Sequence, residues 1–259
     1  MIENRSQLSS ARRVVVKVGS SSISGAGSKL GPLVAALAKS HANGTQVILV
    51  TSGAIATGMP LLNIEAKPED LATSQALASV GQSRLIARYQ ASLDGFGIVA
   101  GQVLLTADDL EGDETRTNAK RAMERLLELK VLPIVNENDT VATAEIRFGD
   151  NDRLAALVAV LVEADALILL SDVDALYTAP PSVAGAVKID SVDFDDDLSS
   201  IDIGGSSSNV GTGGAVTKVH AAKLANENGI PVLLTSADLV AEALDGSAVG
   251  TWFESKVGS

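Results

Sequence analysis

The chain has 259 residues, 46% hydrophobic and 20% charged, enough to bury a substantial core in one large domain or two closely packed lobes. Its 20 lysines and arginines stand against 32 aspartates and glutamates, and the net charge of −12 argues against a broad nucleic-acid-binding face. With no cysteine and only His41 and His220, disulfide scaffolds, thiolate zinc sites and Cys nucleophiles are excluded, and a His-centred triad is disfavoured.

Residues 1–13 are polar and charged, so no secretory leader is read. The first strand is predicted over 14–18, followed by a helix over 30–42, a strand over 47–50 and a long helix over 68–93. Strands over 98–105 and 131–135 flank a helix over 114–130. A helix over 152–163, a strand over 166–170, a helix over 215–229 and a strand over 231–234 complete the alternation. The longest purely apolar run, 154–162, has nine residues and is too short to cross a bilayer, so the expectation is a cytoplasmic protein without membrane contact.

Most strands are apolar throughout, as in a parallel sheet covered on both faces. The fold class expected is therefore α/β, an αβα sandwich around a mostly parallel central sheet. The segment 178–214 breaks the pattern with Pro180, Pro181, many Gly and Ser, and the acidic group Asp193, Asp195, Asp196 and Asp197. A connection that long reads either as a functional lid or as a solvated surface excursion.

Ligands of open α/β sheets bind beyond the C-terminal strand ends, so the residues there come first. They are polar and glycine-containing: Lys17, Gly19 and Ser20; Ser52, Gly53 and Ala54; Asn136, Glu137, Asn138 and Asp139; Ser171 and Asp172. Lys17 stands among valines, and an ammonium beside a packed sheet is costly unless it meets an anion. An edge-strand lysine that discourages aggregation is the competing explanation. The string GTGGAVTK over 211–218 opens a helix, where free N–H groups and the positive dipole end favour an anion and Lys218 does not favour the dipole. A plain glycine-rich helix entry explains it equally well. Asp150, Asn151 and Asp152 exceed what one helix cap needs. Lysines at glycine turns, carboxylates and hydroxyls, without histidine or thiol, suit phosphoryl transfer from a magnesium nucleotide.

In order along the chain, VVVKVGS (14–20), VTSGAIA (50–56), GQSRL (81–85), LLT (104–106), NEND (136–139), ATAEI (142–146), GDND (149–152), SD (171–172), LYT (176–178) and GTGGAVTK (211–218) resemble the amino acid kinase family. The block over 136–152 is similar to its glutamate-phosphorylating branch. The resemblance implies ATP-dependent phosphorylation of the L-glutamate γ-carboxylate to γ-glutamyl phosphate, the first step of proline synthesis. By the same resemblance Lys17 and Lys218 hold the transferring group, with Asp152 organising them or Mg²⁺, the metal being carried mainly by ATP phosphates. Ser52, Gly53, Ala54, Asp139 and Asn151 match glutamate-binding positions. Lys17, Gly19, Ser20, Ser171, Asp172, Thr212, Gly213, Gly214, Ala215, Val216, Thr217 and Lys218 match nucleotide-binding ones.

Implied too are an amino-acid lobe over about 12–165 and a nucleotide lobe over about 166–259, with no C-terminal PUA domain. Proline as feedback inhibitor, a homo-dimer or tetramer, and coupling to glutamyl phosphate reductase are further expectations. Ala215 and Val216 depart from the family's usual Met and hydroxyl residue, and Ser171 from its usual Thr. The alternatives are a relative acting on aspartate, N-acetylglutamate, carbamate or UMP, and a non-catalytic amino acid sensor.

Overall fold

Strands that are apolar on both faces must be covered on both faces, and this requirement shapes the molecule. The computed structural model describes residues 2–25, 27–142, 151–196 and 214–256. Its strands are β1 (Arg13–Lys17), β2 (Gln46–Val50), β3 (Ala100–Leu105), β4 (Leu132–Glu137), β5 (Ala166–Ser171), β6 (Ser191–Val192), β7 (Val232–Ser236) and β8 (Thr251–Phe253). They form one sheet of order β3-β4-β2-β1-β5-β7-β8-β6. Every pairing is parallel except that of β7 with β8. β1 is central, with Val14 opposite Val47 of β2 and Ala166 of β5, so Lys17 is not an edge residue. β1 and β5 are the strands at which the ranges 12–165 and 166–259 border each other in this sheet.

The helices are α1 (Ser20–Ile23), α2 (Leu30–Ala42), α3 (Ala54–Leu61), α4 (Leu71–Asp94), α5 (Ala107–Glu111), α6 (Asp113–Glu128), α7 (Asn151–Leu161), α8 (Ala215–Glu227) and α9 (Val240–Leu244). Val14 and Val16 of β1 share a core with Leu33 and Leu37 of α2, Leu85 and Tyr89 of α4, and Val240 of α9. Val15 joins the opposite core, with Met123 of α6, Leu154 and Val158 of α7, and Val219 and Ala222 of α8. Alternation along a strand therefore puts Lys17, two residues after Val15, on the α7–α8 face. None of the helices among the described residues is long and apolar enough to cross a membrane.

Differences from the expected elements have local causes. The helix expected from 68 starts at Leu71, because the Asp70 side chain accepts the Thr73 backbone N–H at 2.8 Å and caps it. The helix expected to 130 stops at Glu128, and Lys130 takes a left-handed turn (φ 58°) into β4. The unexpected elements α1, α3, α5, α9, β6 and β8 are too short to show a period. The excursion after residue 178 returns to the sheet edge as β6, following a bridge between Tyr177 and Lys188. Its residues 197–213 lie outside the described residues.

α3 lies almost against α4. A Cβ on Gly81 would fall 1.8 Å from the Ala54 carbonyl oxygen, and one on Gly58 would fall 2.1 Å from that of Leu77. Two helices can cross this closely only where both lack side chains, and the crossing sets the start of α3 just beyond β2.

Candidate active site

The C-terminal ends of β1, β2, β4 and β5 lie side by side in the sheet, so the polar residues that follow them share one edge. On the α7–α8 face, Lys17 Nζ lies 2.7 Å from Asp152 Oδ1, and Lys218 Nζ lies 3.1 Å from Asp152 Oδ2. The Thr217 hydroxyl donates to the same Oδ2 at 2.8 Å. Lys17 is 5%, Asp152 1% and Lys218 6% exposed, so all three charges are removed from bulk water. Asp152 stands in the first turn of α7, where the helix dipole favours a carboxylate. Lys218 lies near the start of α8, against the dipole, and Asp152 offsets it.

Burial alone would raise the Asp152 pKa, but Lys17 and Lys218 overcome it and hold the carboxyl well below the usual range. Burial and the neighbouring Lys17 push the Lys218 pKa down, opposed by Asp152 and Asp172. Two ammonium groups held beside one carboxylate and away from bulk water place positive charge where an incoming anion can be received.

Beside this cluster opens a cavity of about 330 Å³ lined by Ser20, Ser52, Gly53, Ala54, Lys67, Asn136, Glu137, Asp139 and Asn151, among others. Asn151 and Asp152 are consecutive, so the cavity adjoins the lysines. Gly53 (φ 103°) makes the turn from β2 into α3, and its missing Cβ leaves room for Ser20, whose Cβ would be 3.2 Å away. The first N–H groups of α3 thus begin at the cavity wall. The buried Tyr89 hydroxyl pairs with the Thr51 hydroxyl at 2.8 Å and braces the same junction. Asn136 donates through Nδ2 to Gln82 Oε1 at 2.7 Å, while the buried Oδ1 atoms of Asn136 and Asn151 accept no hydrogen bond among the described residues. Buried acceptors without donors are uncommon and suit a ligand that brings N–H groups. Burial pushes the Asp139 pKa up to about 6, and Lys67 acts in the opposite direction.

The structure thus gathers Ser52, Gly53, Ala54, Asp139 and Asn151 around one cavity, and Lys17, Lys218 and Asp152 into one cluster. Ser171 ends β5, and Asp172 accepts a hydrogen bond from the Ser21 hydroxyl at 2.8 Å, joining the turn after β1 to the end of β5. Gly214 precedes α8, Ala215 packs against the core and Val216 is 41% exposed, so the departure at Val216 sits on the outer side. Thr212 and Gly213 lie outside the described residues, as do 143–150 of the long motif. A Cβ at Gly19 would meet nothing nearer than the Ser21 hydroxyl at 3.8 Å, so the protein's own packing does not demand glycine there.

Sequence reasoning missed Glu65 and Lys67 as cavity residues, and it did not single out Asn136 and Glu137 as binding positions. Asn136 and Glu137 end a strand, which is a usable signal. Glu65 and Lys67 come from the connection between α3 and α4 and carry none.

Residues 12–236 match the model of the amino acid kinase family. A glutamate 5-kinase of Leifsonia xyli subsp. xyli is 65% identical over 254 residues, covering 97% of this chain and 94% of that protein. One of Clavibacter sepedonicus is also 65% identical, over 251 residues covering 96% of this chain and 97% of that one. A longer relative of the same name from Salinispora arenicola is 55% identical over 255 residues, which are 96% of this chain and 69% of it. Among solved structures, carbamate kinase from Giardia lamblia bound to AMP-PNP has a TM-score of 0.67 at 17% identity, covering 96% of this chain and all of that one, a likeness of fold.

Proposed function

The chain belongs to the amino acid kinase family, and from that premise we propose that it transfers the γ-phosphoryl group of ATP to the side-chain carboxylate of L-glutamate. The observation that carries the reading is the buried Lys17–Asp152–Lys218 cluster, adjoining a cavity lined by Asp139 and by amide oxygens that have no donor among the described residues. Relatives 65% identical and named glutamate 5-kinase support this substrate over aspartate, N-acetylglutamate, carbamate or UMP. They also make a non-catalytic sensor the weaker reading.

The glutamate ammonium carries three N–H donors, and Asp139 with the Oδ1 atoms of Asn136 and Asn151 offers acceptors for them. Ser52 and the N–H groups at the start of α3 receive carboxylate oxygen. The γ-carboxylate has an ordinary pKa of about 4.3 and is ionised at neutral pH, so no general base is needed. One of its oxygens forms a bond to the γ-phosphorus while the bond to the bridging oxygen of ADP breaks, and that electron pair leaves on ADP. The obstacle is the approach of one anion to another. Lys17 and Lys218 lower it by holding positive charge where the two meet, and Asp152 keeps both ammonium groups in place.

Gly19, Ser20, Ser171, Asp172 and residues 212–218 take the nucleotide in this reading. Among the described residues no group of three His, Asp or Glu side chains could cage a metal, and both Asp152 oxygens face cations. Mg²⁺ therefore fits on the ATP phosphates, where it would neutralise charge. Proline, which offers a carboxylate and a protonated amine as glutamate does, fits as a feedback ligand. Assembly into dimers or tetramers, hand-over of the acyl phosphate to a reductase and a cytoplasmic location belong to the same reading.

Trapping with hydroxylamine tests it: with Mg·ATP and a panel of amino acids, hydroxamate should form from glutamate alone, and its formation from aspartate or not at all would refute it. The pH dependence is a second check. Asp139 is neutral below about pH 6 in the free protein, so it must lose its proton to pair with an ammonium. The KM for glutamate should be flat above neutrality and rise by about tenfold per unit as pH falls below that value. Asp139→Asn should abolish this slope and weaken glutamate by about 2–5 kcal/mol, leaving ATP affinity unchanged. A persisting slope would assign it to another group.

A further inference from the structure

The cavity has an electrostatic problem that the residues assigned so far do not solve. Glutamate carries two carboxylates and one ammonium, a net negative charge, yet Glu65 and Asp139 line its cavity. An anion entering beside these acids is repelled unless a cation stands there too. Among the described residues lining the cavity there is one, Lys67, from the connection between α3 and α4. Lys17 and Lys218 stand at Asp152 and are not among the residues that line this cavity.

We propose that Lys67 is a specificity-determining residue whose ammonium pairs with the substrate's α-carboxylate, so that the site selects an amino acid with a free carboxylate at its α-carbon. The inference rests on the glutamate reading and deepens it. Its geometry comes from the substrate's own covalent structure. The ammonium and the α-carboxylate share a single carbon, whereas the γ-carboxylate sits at the far end of the side chain. Whatever holds the ammonium must therefore have the α-carboxylate's partner close by, and the reacting end must point elsewhere. Lys67 is close enough to Asp139 to act on its charge, while the phosphoryl-handling lysines lie past Asn151. In the free protein Lys67 is exposed and in no ion pair among the described residues, so its ammonium is available at the cavity mouth.

The test compares glutamate with isoglutamine, which keeps the ammonium and the γ-carboxylate but carries a neutral α-carboxamide. Steady-state kinetics of the full chain with Mg·ATP should show a lower KM for glutamate than for isoglutamine. Lys67→Met should raise the glutamate KM by about tenfold or more, leave kcat within about twofold and leave the isoglutamine KM unchanged, so that discrimination collapses. Lys67→Arg should restore most of it. Equal losses for both substrates, a loss in kcat alone, or no loss would overturn the assignment of Lys67 while leaving the glutamate reading intact. A wild-type protein that makes no acyl phosphate from glutamate would overturn both.

Discussion

Replacing Lys218 by alanine is expected to lower phosphoryl transfer by about 10³-fold or more while glutamate affinity stays near that of the wild type. Cations at the transferring group act on charge that develops only as the reaction proceeds, so their loss appears in the rate rather than in amino acid binding. The fold should tolerate the change. Lys17 and Asp152 remain as a matched pair 2.7 Å apart. Lys218 itself is held with its pKa below the ordinary lysine value, chiefly by burial. A lysine whose folded pKa is lowered binds its proton less well than in the unfolded chain, so its contribution to stability improves as pH rises through the folded pKa. That partly offsets the packing and the ion pair lost in the alanine variant. The melting temperature should therefore fall less than in Asp152→Asn while turnover collapses. Single-turnover kinetics, glutamate calorimetry and thermal melts report the three quantities separately, and an unchanged rate would take Lys218 out of the mechanism.

Asp152→Asn should be costly on both counts. The amide cannot neutralise either lysine, and two buried ammonium groups are left facing one another across a site that is 1% exposed at its centre. Breaking a buried charge network in this way typically costs about 3–5 kcal/mol, and for a chain of this length that is a melting temperature lower by about 10 °C. Turnover should fall as far as in Lys218→Ala, since the lysines lose their common anchor. A polyvalent anion such as triphosphate should recover more stability in Asp152→Asn than in the wild type, because it supplies the missing negative charge. The acid limb carries the same information. Asp152 has a folded pKa below its ordinary value, so its contribution is complete above about pH 4 and is lost as pH falls towards the folded pKa. The variant should lack that part of the acid dependence. A melting curve like that of the wild type would mean that the three charges are not coupled.

The two lysines illustrate what could be read in advance. Lys17 was visible because it interrupts a run of valines, and its place in a central strand follows from that run being apolar on both faces. Lys218 was visible through its glycine-rich approach to a helix. Nothing in the physical chemistry of either segment says that they meet, since 201 positions separate them; the family resemblance implies it, and β1 lying beside β5 with α7 packed on α8 over the same face is its physical cause. Asp152 shows the opposite case. From its own segment it is a helix-cap residue in a group larger than one cap needs, the family resemblance gives it the lysines or Mg²⁺, and the fold adds the two ammonium groups at its oxygens.

By itself the sequence determined the α/β alternation, the central apolar strands and the polar strand ends, because side-chain period and turn chemistry are local properties written along the chain. The tertiary structure alone decided which ends face each other, that Asn151 bridges the cavity and the charged cluster, and that Glu65 and Lys67 enter the site from a connection without any signal of its own. Charge coupling depends on distance through space and on removal from water, and neither quantity exists until the sheet has brought remote segments together.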